Sequence, residues 1–451
     1  GIFGFTLATA DLTNDGIFDL VIGSSEDVNG VSNAGRVYTF NGASGDFLYA
    51  VETPNPEQFG WFSRTLASVG DLNNDNHDDF AVGSGESAGA AASGRVYVYS
   101  GLDGTFLYSI ESANPNAEGL FSIALASIAD LNGDGLRDLI VGSQETPNTL
   151  NRSGRSYVHS GSNGSLIYTL DSENAALNGK FGWSVADAGD VNGDGANDIA
   201  VGSEEPFDGF SQSGRAYLFS GLDGSYLYDV GSPSPNFVDW FSRAISSVGD
   251  VNGDNRDDLL IGAPFDEVGV TLNAGQAFLV SGADGSILDS LATPNPQFEG
   301  LFGFALIGNW NSNQLSDVDV MISSYREHVG SDLNAGRIYR FRSMETSINQ
   351  SDNLIPESVK LEQNYPNPFN PTTKIRWSVA SSSENNVSLK IFDLLGKEIR
   401  VLVNENNSFG IHETNWDGRD EFGAIVASGV YVYQLKVGND YVQSKKMLLV
   451  R

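Results

Sequence analysis

The sequence contains no cysteine, which excludes disulfides and thiolate metal sites. It is also poor in basic residues, because 25 Lys and Arg stand against 58 Asp and Glu, a formal net charge of −33. Nucleic-acid binding needs clustered Lys and Arg, so this balance argues against nucleic acid as a partner. No apolar run reaches transmembrane length, and we therefore predict no transmembrane segment.

The excess of acidic residues has a local cause. Residues 1–359 carry 48 of the 58 acidic residues but only 14 of the 25 basic ones. Within this range one acidic nonapeptide recurs at intervals of 59 or 60 residues. Its five copies are DLTNDGIFD from Asp11, DLNNDNHDD from Asp71, DLNGDGLRD from Asp130, DVNGDGAND from Asp190 and DVNGDNRDD from Asp250.

Each copy lies inside the same succession of short β-prone runs. An apolar stretch precedes the acidic loop, and a run such as DLIVGS follows it. After a variable loop comes a run such as GRVYVY, and a glycine hairpin such as SGLDGT leads into a fourth run. Four strands per repeat of about 60 residues indicate propeller blades rather than a helical solenoid or a β-helix. The predicted fold class is therefore all-β, with a β-propeller of six visible blades.

The sixth repeat is degenerate and has no recognisable fourth strand. We place the propeller at 1–344, a polar linker at 345–360 and a second domain at 361–451. An unpaired blade edge is a liability, and no strand borrowed from the opposite terminus is visible before Gly1. We therefore expect at least one further strand upstream of Gly1, and a whole further blade would make seven.

The nonapeptide pattern predicts calcium sites. Oxygen-bearing residues at positions 1, 3, 5 and 9, with a backbone carbonyl at the variable position 7, form an all-oxygen set that suits calcium better than zinc or copper. Gly or Asn at position 6 permits the positive φ that returns position 9 to the ion. The predicted ligands of the five sites are Asp11, Thr13, Asp15, Ile17 and Asp19; Asp71, Asn73, Asp75, His77 and Asp79; Asp130, Asn132, Asp134, Leu136 and Asp138; Asp190, Asn192, Asp194, Ala196 and Asp198; and Asp250, Asn252, Asp254, Arg256 and Asp258.

Acidic loops of this kind have two other possible interpretations. An EF-hand needs a Glu at position 12 between two helices, whereas that position is Ile22, Val82, Val141, Val201 or Ile261. The loops therefore sit on β-hairpins. Solvated Asx turns without metal remain the alternative, above all where Asn76 and Asn255 replace glycine. In the sixth repeat Asn309 and Asn313 replace aspartates, and we expect no ion there.

These repeats resemble the FG-GAP repeats of the integrin α-subunit propeller. The matching parts are Phe181-Gly182, the loop from Asp190 to Asp198, and Gly262-Ala263-Pro264. The resemblance covers about 1–344 and implies a calcium-binding β-propeller of up to seven blades. Some units depart from it, with Phe-Ser for Phe-Gly at 121–122 and 241–242. No integrin ligand site is carried over.

In residues 361–451, runs of alternating apolar and polar residues are separated by turn-forming residues. This pattern predicts a small C-terminal antiparallel β-sandwich. The segment is similar to the type A C-terminal sorting domain of type IX secretion cargo, through Tyr365 to Phe369, Asp393 to Gly396, Gly429 to Tyr431, and the strand with Lys445 and Lys446. The resemblance implies the type IX secretion machinery as a partner and an extracellular or outer-membrane surface location in a Bacteroidota-type bacterium. A generic adhesion β-sandwich is the alternative.

Catalytic residues are not apparent, because the four histidines are scattered and no nucleophile elbow, zinc-binding His pair or phosphate loop occurs. We expect the acidic loops and glycine hairpins on one face, and the variable loops, between second and third strands and between blades, on the other. Candidates for protein or glycan recognition on those loops are Phe207, Phe210, Phe237, Trp240, Phe265 and Phe298. Plugs between blades are the alternative role for these rings.

A series of glutamates closes the second strands and recurs 15 residues after the first Asp of each loop. It either rings the channel mouth or pairs with the arginines that open the third strands, and we favour pairing. The two series are Glu26, Glu86, Glu145 and Glu205, and Arg36, Arg95, Arg155 and Arg215.

The sequence thus predicts a secreted or cell-surface calcium-stabilised propeller that acts as an adhesion or ligand-binding scaffold and is not an enzyme. The alternatives are a carbohydrate-active enzyme, since Asp and Glu are abundant, or a purely structural surface-layer protein.

Overall fold

The computed structural model describes the chain except residues 88–91, 116–117, 148–149, 237, 309–318, 330–331, 343–359, 362–363, 365–366, 368, 380–385, 394–395, 407–409, 438–440 and 451. The chain divides into two compact units, Gly1–Thr346 and Ser347–Arg451. Regular structure in the described residues consists of β-strands throughout, as predicted. These residues include no helix that is long and apolar enough to span a membrane.

The first unit is built from antiparallel sheets whose strands follow chain order. The first three sheets comprise β1 (Phe3–Ala10), β2 (Asp19–Ser24), β3 (Arg36–Phe40) and β4 (Phe47–Glu52); β5 (Thr65–Gly70), β6 (Asp79–Ser84), β7 (Arg95–Tyr99) and β8 (Phe106–Glu111); and β9 (Ala124–Ile128), β10 (Asp138–Ser143), β11 (Arg155–His159) and β12 (Leu166–Leu170). The next three comprise β13 (Ser184–Gly189), β14 (Asp198–Ser203), β15 (Arg215–Phe219) and β16 (Tyr226–Gly231); β17 (Ala244–Gly249), β18 (Asp258–Ala263), β19 (Gln276–Val280) and β20 (Ile287–Ala292); and β21 (Phe302–Ile307), β22 (Asp319–Ser324) and β23 (Arg337–Arg342). Five sheets have four strands, and the sixth has three within the described residues.

The sheets are arranged like propeller blades around a channel. The first strand of each sheet packs beside the first strand of the next, from β1 through to β21. One cavity of about 430 Å³ is lined by first-strand residues of all six sheets. Its aliphatic lining includes one residue from the same repeat position in each sheet, namely Leu7, Leu66, Leu125, Val185, Ile245 and Leu306. The innermost position of the first strands is thus a property of the repeat.

The hydrophobic core lies between neighbouring blades. The second strands β6, β10, β14 and β18 are buried along their whole length, which explains their near-continuous apolar sequence. Each core cluster joins two consecutive sheets; one, for example, contains Ile140 of β10 and Val201 of β14. The Phe of each Phe-Gly or Phe-Ser pair packs against the aromatic residue of the third strand, as Phe181 does on Tyr217 at 5.3 Å between ring centroids. The repeated sequence therefore specifies a repeated interface.

The second unit contains two antiparallel sheets that share one buried core. One sheet has the order β24 (Lys360–Leu361), β25 (Thr373–Val379) and β28 (Gly410–Trp416), and the other has the order β27 (Glu398–Asn406), β26 (Asn386–Phe392), β29 (Gly429–Val437) and β30 (Tyr441–Leu449). Their common core includes Trp377 and Trp416 from the first sheet and Leu389 and Tyr433 from the second. A two-sheet sandwich was predicted for this segment.

The predicted division of loops between two faces is confirmed in the first unit. On one face the acidic loops bond to the glycine hairpins, as when Gly101 N donates to Asp79 at 2.9 Å. On the other face the loop between the second and third strands bonds to the connection into the next blade. Phe181 N, for instance, donates to the Ser153 carbonyl at 2.8 Å. We call these the acidic-loop face and the opposite face.

Candidate metal loops and the opposite face

The five acidic loops share one backbone conformation, which the sequence predicts only in part. Position 6 has positive φ in every copy, including Asn76 at 67° and Asn255 at 65°, as expected from Gly or Asn. Position 4 is also left-handed in all five copies, which was not predicted. Its occupants are Asn14, Asn74, Gly133, Gly193 and Gly253. These two residues wind the loop into a tight turn.

The side chains at positions 1, 3 and 5 close this turn by accepting backbone hydrogen bonds. In the third loop, Asp130 Oδ2 accepts from Gly135 N at 2.6 Å and Asp130 Oδ1 from Gly133 N at 2.7 Å. Asn132 Oδ1 accepts from Asp134 N at 2.9 Å, and Asp134 Oδ1 from the N–H of position 7 at 3.0 Å. The side-chain oxygens of positions 1, 3 and 5 therefore lie within one turn.

The Asp at position 9 is a buried junction between two loops. It opens the second strand and is fully buried in all five copies. Asp138 Oδ2 accepts from Leu131 N at 2.8 Å and its Oδ1 from Gly161 N, in the glycine hairpin, at 3.1 Å. A side chain at Gly161 would meet the Arg137 carbonyl oxygen at 1.8 Å, so only glycine permits this close approach. Position 9 thus locks the acidic loop to the hairpin.

In the second, third and fifth loops the carboxylates at positions 1 and 5 act electrostatically on the one at position 9. Burial raises the pKa of Asp79 to about 6, hydrogen bonds from Gly101 and Leu72 oppose this, and the charges of Asp75 and Asp71 raise it further. The pKa of Asp138 is raised in the same way, first by burial and then by the charges at positions 5 and 1. A cation beside these groups would relieve both the repulsion and the unfavourable burial of charge.

The described residues contain no group of three or more Asp, Glu, His or Cys side chains placed at metal-binding distance. The donor chemistry nonetheless fits a hard cation, because every predicted side-chain ligand offers oxygen and three of them per loop are carboxylates. Positions 1, 3 and 5 of each loop lie on one turn, and position 9 opens the strand that follows it. Asn309 and Asn313 of the sixth repeat lie outside the described residues.

The aromatic candidates on the opposite face divide into two groups. Phe210 and Phe298 are exposed, with 43% and 63% of their surface accessible. Trp240 instead packs on Phe265 at 4.6 Å between centroids, and Phe207 lies under the Arg215 guanidinium at 4.8 Å. These three rings are half-buried and fill space between loops. Phe237 lies outside the described residues.

The expected pairing of glutamate with arginine holds in the first blade, where Arg36 Nη1 lies 3.1 Å from Glu26 Oε1. It is wrong for blades two to four, where the glutamate is buried and the arginine pairs with an acid on the fourth strand or directly after it, as Arg155 does with Asp171 at 2.6 Å. The buried carboxylate instead accepts from the third-strand tyrosine, as Glu145 does from Tyr157 at 2.5 Å. In these three blades the arginine has a closer acid on the fourth-strand side, and the tyrosine hydroxyl is the group that contacts the buried carboxylate.

The fifth blade lacks both partners of this buried acid. Asp266 takes the place of Glu205, because its carbonyl accepts from Gly275 as that of Glu205 accepts from Gly214. Gln276 and Phe278 stand in the third strand where other blades have Arg and Tyr. Burial, followed by the charge of Asp239, raises the pKa of Asp266 to about 7.

The raised pKa of Asp266 gives a pH prediction. Between about pH 4, where the unfolded carboxyl titrates, and pH 7 the folded state binds the proton more tightly, so stability falls as pH rises. Each pH unit in this window costs about 1.4 kcal/mol. Asp266→Asn removes the buried charge and should raise the melting temperature at pH 8 but not at pH 4. The control is Asp289→Asn, an exposed residue of the same blade. Equal pH profiles for Asp266→Asn and the parent protein would refute the prediction.

Sequence reasoning missed the partners that the acidic loops recruit from the glycine hairpins. Ser100 Oγ donates to Asp75 Oδ2 at 3.0 Å and Ser160 Oγ donates to Asp134 Oδ2 at 3.0 Å. The hairpin residues Gly101, Gly161, Gly221 and Gly282 each bond to position 9. The sequence signal for these partners was the Ser-Gly pair that recurs at the start of the hairpins. From sequence alone this pair indicates only a turn, because its contact with the acidic loop depends on how the strands pair.

Family comparisons match both units. The FG-GAP repeat matches residues 3–40, 63–99 and 243–280, and an FG-GAP-like repeat matches residues 130–201. All these ranges lie in the first five blades. Residues 364–440 match the FlgD Ig-like domain. The chain therefore carries FG-GAP repeats followed by an Ig-like segment.

Integrin alpha subunits are among the curated relatives of this chain. Integrin alpha-4 of Xenopus laevis is 24% identical over 254 residues, covering 54% of this chain and 24% of the relative. Integrin alpha-5 of Xenopus laevis is 31% identical over 219 residues, covering 45% of this chain and 20% of the relative. The chain thus spans less than a quarter of the length of these two relatives.

Among solved structures, one of PorZ is similar over 99% of this chain and 51% of its own, with a TM-score of 0.38 and 14% identity. PorZ is described there as an essential bacterial surface component of the type-IX secretion system of Porphyromonas gingivalis. A TM-score of this size supports no argument about fold or function.

Proposed function

We propose, from the FG-GAP repeats that the chain carries, that this protein is a surface-exposed scaffold for ligand binding, stabilised by calcium and not an enzyme. The observation that carries the proposal is the division of labour between the two faces. Five acidic loops and their glycine hairpins are bonded together on one face, whereas the opposite face presents variable loops with exposed aromatic rings. Rigid scaffolds commonly bind ligands through such loops.

Calcium would bind in the five acidic loops through positions 1, 3, 5 and 9 and the carbonyl of position 7. When bound, the ion supplies a charge that offsets the repulsion among 15 carboxylates. The protein residues do the rest: positions 4 and 6 shape the turn, and position 9 ties it to the hairpin. In this role the metal is structural, and the ligand binds on the opposite face.

Ligand binding can be tested with purified protein on a glycan array and an array of extracellular proteins. Phe210→Ala and Phe298→Ala remove exposed rings of the opposite face, and truncating a central contact costs about 10-fold in affinity or more. The matched control is Leu222→Ala, an exposed side chain of a glycine hairpin on the acidic-loop face. Release of reducing sugar would instead favour a carbohydrate-active enzyme. If the protein neither binds on the arrays nor releases reducing sugar, the result would favour a structural surface-layer protein.

We further propose that residues 361–451 direct export through a type IX secretion machinery, to the outside or the outer surface of a Bacteroidota-type bacterium. The support is the set of motifs in this segment, of which 365–366, 368 and 394–395 lie outside the described residues, together with its two-sheet fold. Fusing residues 345–451 to a fluorescent protein should bring the reporter to the medium or cell surface of a type IX-competent host. Retention of the reporter inside the cell would refute the export role and leave a generic adhesion sandwich.

A further inference from the structure

The mouth of the central channel on the opposite face holds a pocket that none of the repeat motifs accounts for. The pocket measures about 460 Å³, which lies within the range of about 300–1,000 Å³ common for small-molecule sites. Its wall includes the side chains two positions after the Phe of the Phe-Gly or Phe-Ser pair in four blades, which are Phe5, Arg64, Ile123 and Trp183, and also Arg243 of the fifth. The same repeat position is thus apolar in some blades and a guanidinium in two.

Both guanidiniums lie against aromatic rings. Arg64 stands 5.4 Å from the ring centroid of Trp61. Arg243 stands 5.4 Å from the ring of Trp183 and 4.4 Å from that of Phe304. A guanidinium that contacts aromatic faces keeps its N–H groups for a planar acceptor such as a carboxylate.

Neither arginine has an ion-pair partner within 4.0 Å among the described residues, although burial lowers the pKa of both. Against the lowering by burial, the charge of Glu204 acts on Arg243 and raises its pKa, but Glu204 lies beyond ion-pair distance from Arg243 and pairs with Lys180 at 2.9 Å. Arg243 Nε and Trp183 Nε1 are buried and have no hydrogen-bond partner in the part of the chain that the structure describes. The pocket therefore offers several hydrogen-bond donors and positive charge, with no carboxylate among the side chains of its wall.

The remaining wall restricts the body of the ligand. Ile2, Phe5, Phe62 and Ile123 are apolar, and the neutral polar groups of the wall are two serine hydroxyls and two indole N–H groups. A sugar would place several hydroxyls against these apolar groups without partners, which is unfavourable. An aliphatic or aromatic body would bury its surface there favourably.

We propose that this pocket binds a carboxylate carried on an apolar or aromatic body, as in a free peptide C-terminus that ends in an apolar residue. The inference rests on the proposed ligand-binding role and names the chemical class of the ligand. The carboxylate lies against the N–H groups of Arg64 and Arg243, and the apolar body lies on the Ile and Phe side chains.

The test uses the full chain and measures tryptophan fluorescence and calorimetric titration, because two tryptophans line the pocket. N-acetyl-L-phenylalanine should bind saturably, and its amide at least about 10-fold more weakly, because the amide loses the charge-assisted hydrogen bonds. Higher salt should weaken the acid more than the amide. A tetrapeptide with a free C-terminal Phe that binds tighter than the single residue identifies a peptide as the source. Equal affinity of the two identifies a free carboxylate.

Two variants locate the binding. Arg64→Gln and Arg243→Gln should each weaken the acid about 10-fold or more and leave the weak binding of the amide unchanged. Arg243→Lys should restore part of the loss, since it retains charge without the planar fork. The control is Arg137→Gln, a partly exposed arginine of an acidic loop on the other face, which should bind as the parent protein does. If Arg243→Gln does not fold, the affinity of Arg64→Gln and the salt dependence of binding test whether the carboxylate binds at this pocket.

Three results would overturn the proposal: equal binding of acid and amide, binding of glucuronate as tight as that of the acylated amino acid, or unchanged affinity in Arg64→Gln. These failures are separable from failure of the proposed function. A protein that still binds on the arrays through Phe210 and Phe298 keeps its scaffold role and loses only this ligand class.

Discussion

Removing calcium with EGTA should lower the melting temperature of the first unit by more than about 10 °C relative to protein in millimolar calcium. An ion that binds only the folded state stabilises it, and at free calcium 100-fold above Kd one site contributes about 2.7 kcal/mol. Five loops share this pattern, each with three carboxylates, and we expect each bound ion to add to the free energy of unfolding. Without the ion, each loop retains its buried position-9 carboxylate beside two other charges. Scanning calorimetry with and without chelator measures the difference.

The chelation experiment needs a count of ions as well as a temperature. Calorimetric titration into calcium-free protein should give five sites per chain, and Asp134→Ala should reduce the number to four. EGTA with excess added calcium controls for effects of the chelator itself. Equal melting temperatures in calcium and EGTA would show that the loops are Asx turns closed by their own backbone hydrogen bonds, the alternative that the Asn76 and Asn255 copies kept open.

Much of the first unit follows from its sequence because the signal is repeated. One period of about 60 residues predicts four strands and the order in which they pair. Alternating faces then follow from turn positions such as Gly101 and Gly161. The position-12 residues Val82 and Val141 fall inside second strands, as the hairpin interpretation requires. A single copy of the loop would have predicted none of this.

The sequence could not predict the side-chain contacts that join different repeats or different strands. Tyr157 and Glu145 are 12 residues apart, and their pairing appears only when the third strand folds against the second. The pocket at the channel mouth depends on Arg64 and Arg243, which lie in different blades and line one pocket only through the arrangement of the first strands around the channel. In the repeat alignment they look like isolated departures from an apolar position.

The second large effect is expected at position 9, where Asp138→Ala should destabilise the protein whether or not calcium is present. Asp138 is fully buried and accepts hydrogen bonds from Leu131 N and Gly161 N. Alanine leaves both N–H groups without an acceptor, and an unsatisfied buried donor costs about 1–3 kcal/mol. The loop also loses a calcium ligand, so the loss of stability should be larger in calcium than in EGTA. Thermal and urea unfolding in both conditions measure the two parts.

The matched variant is Asp134→Ala at position 5 of the same loop, because Asp134 is exposed and Asp138 is not. It should lower the melting temperature in calcium and leave the temperature in EGTA close to that of the parent protein. The difference between the two variants in EGTA then isolates the role of position 9 as the junction between acidic loop and hairpin. If Asp138→Ala and the parent protein melt together in EGTA, position 9 acts only as a metal ligand, and the hydrogen bonds to Gly161 and Leu131 contribute nothing to the fold.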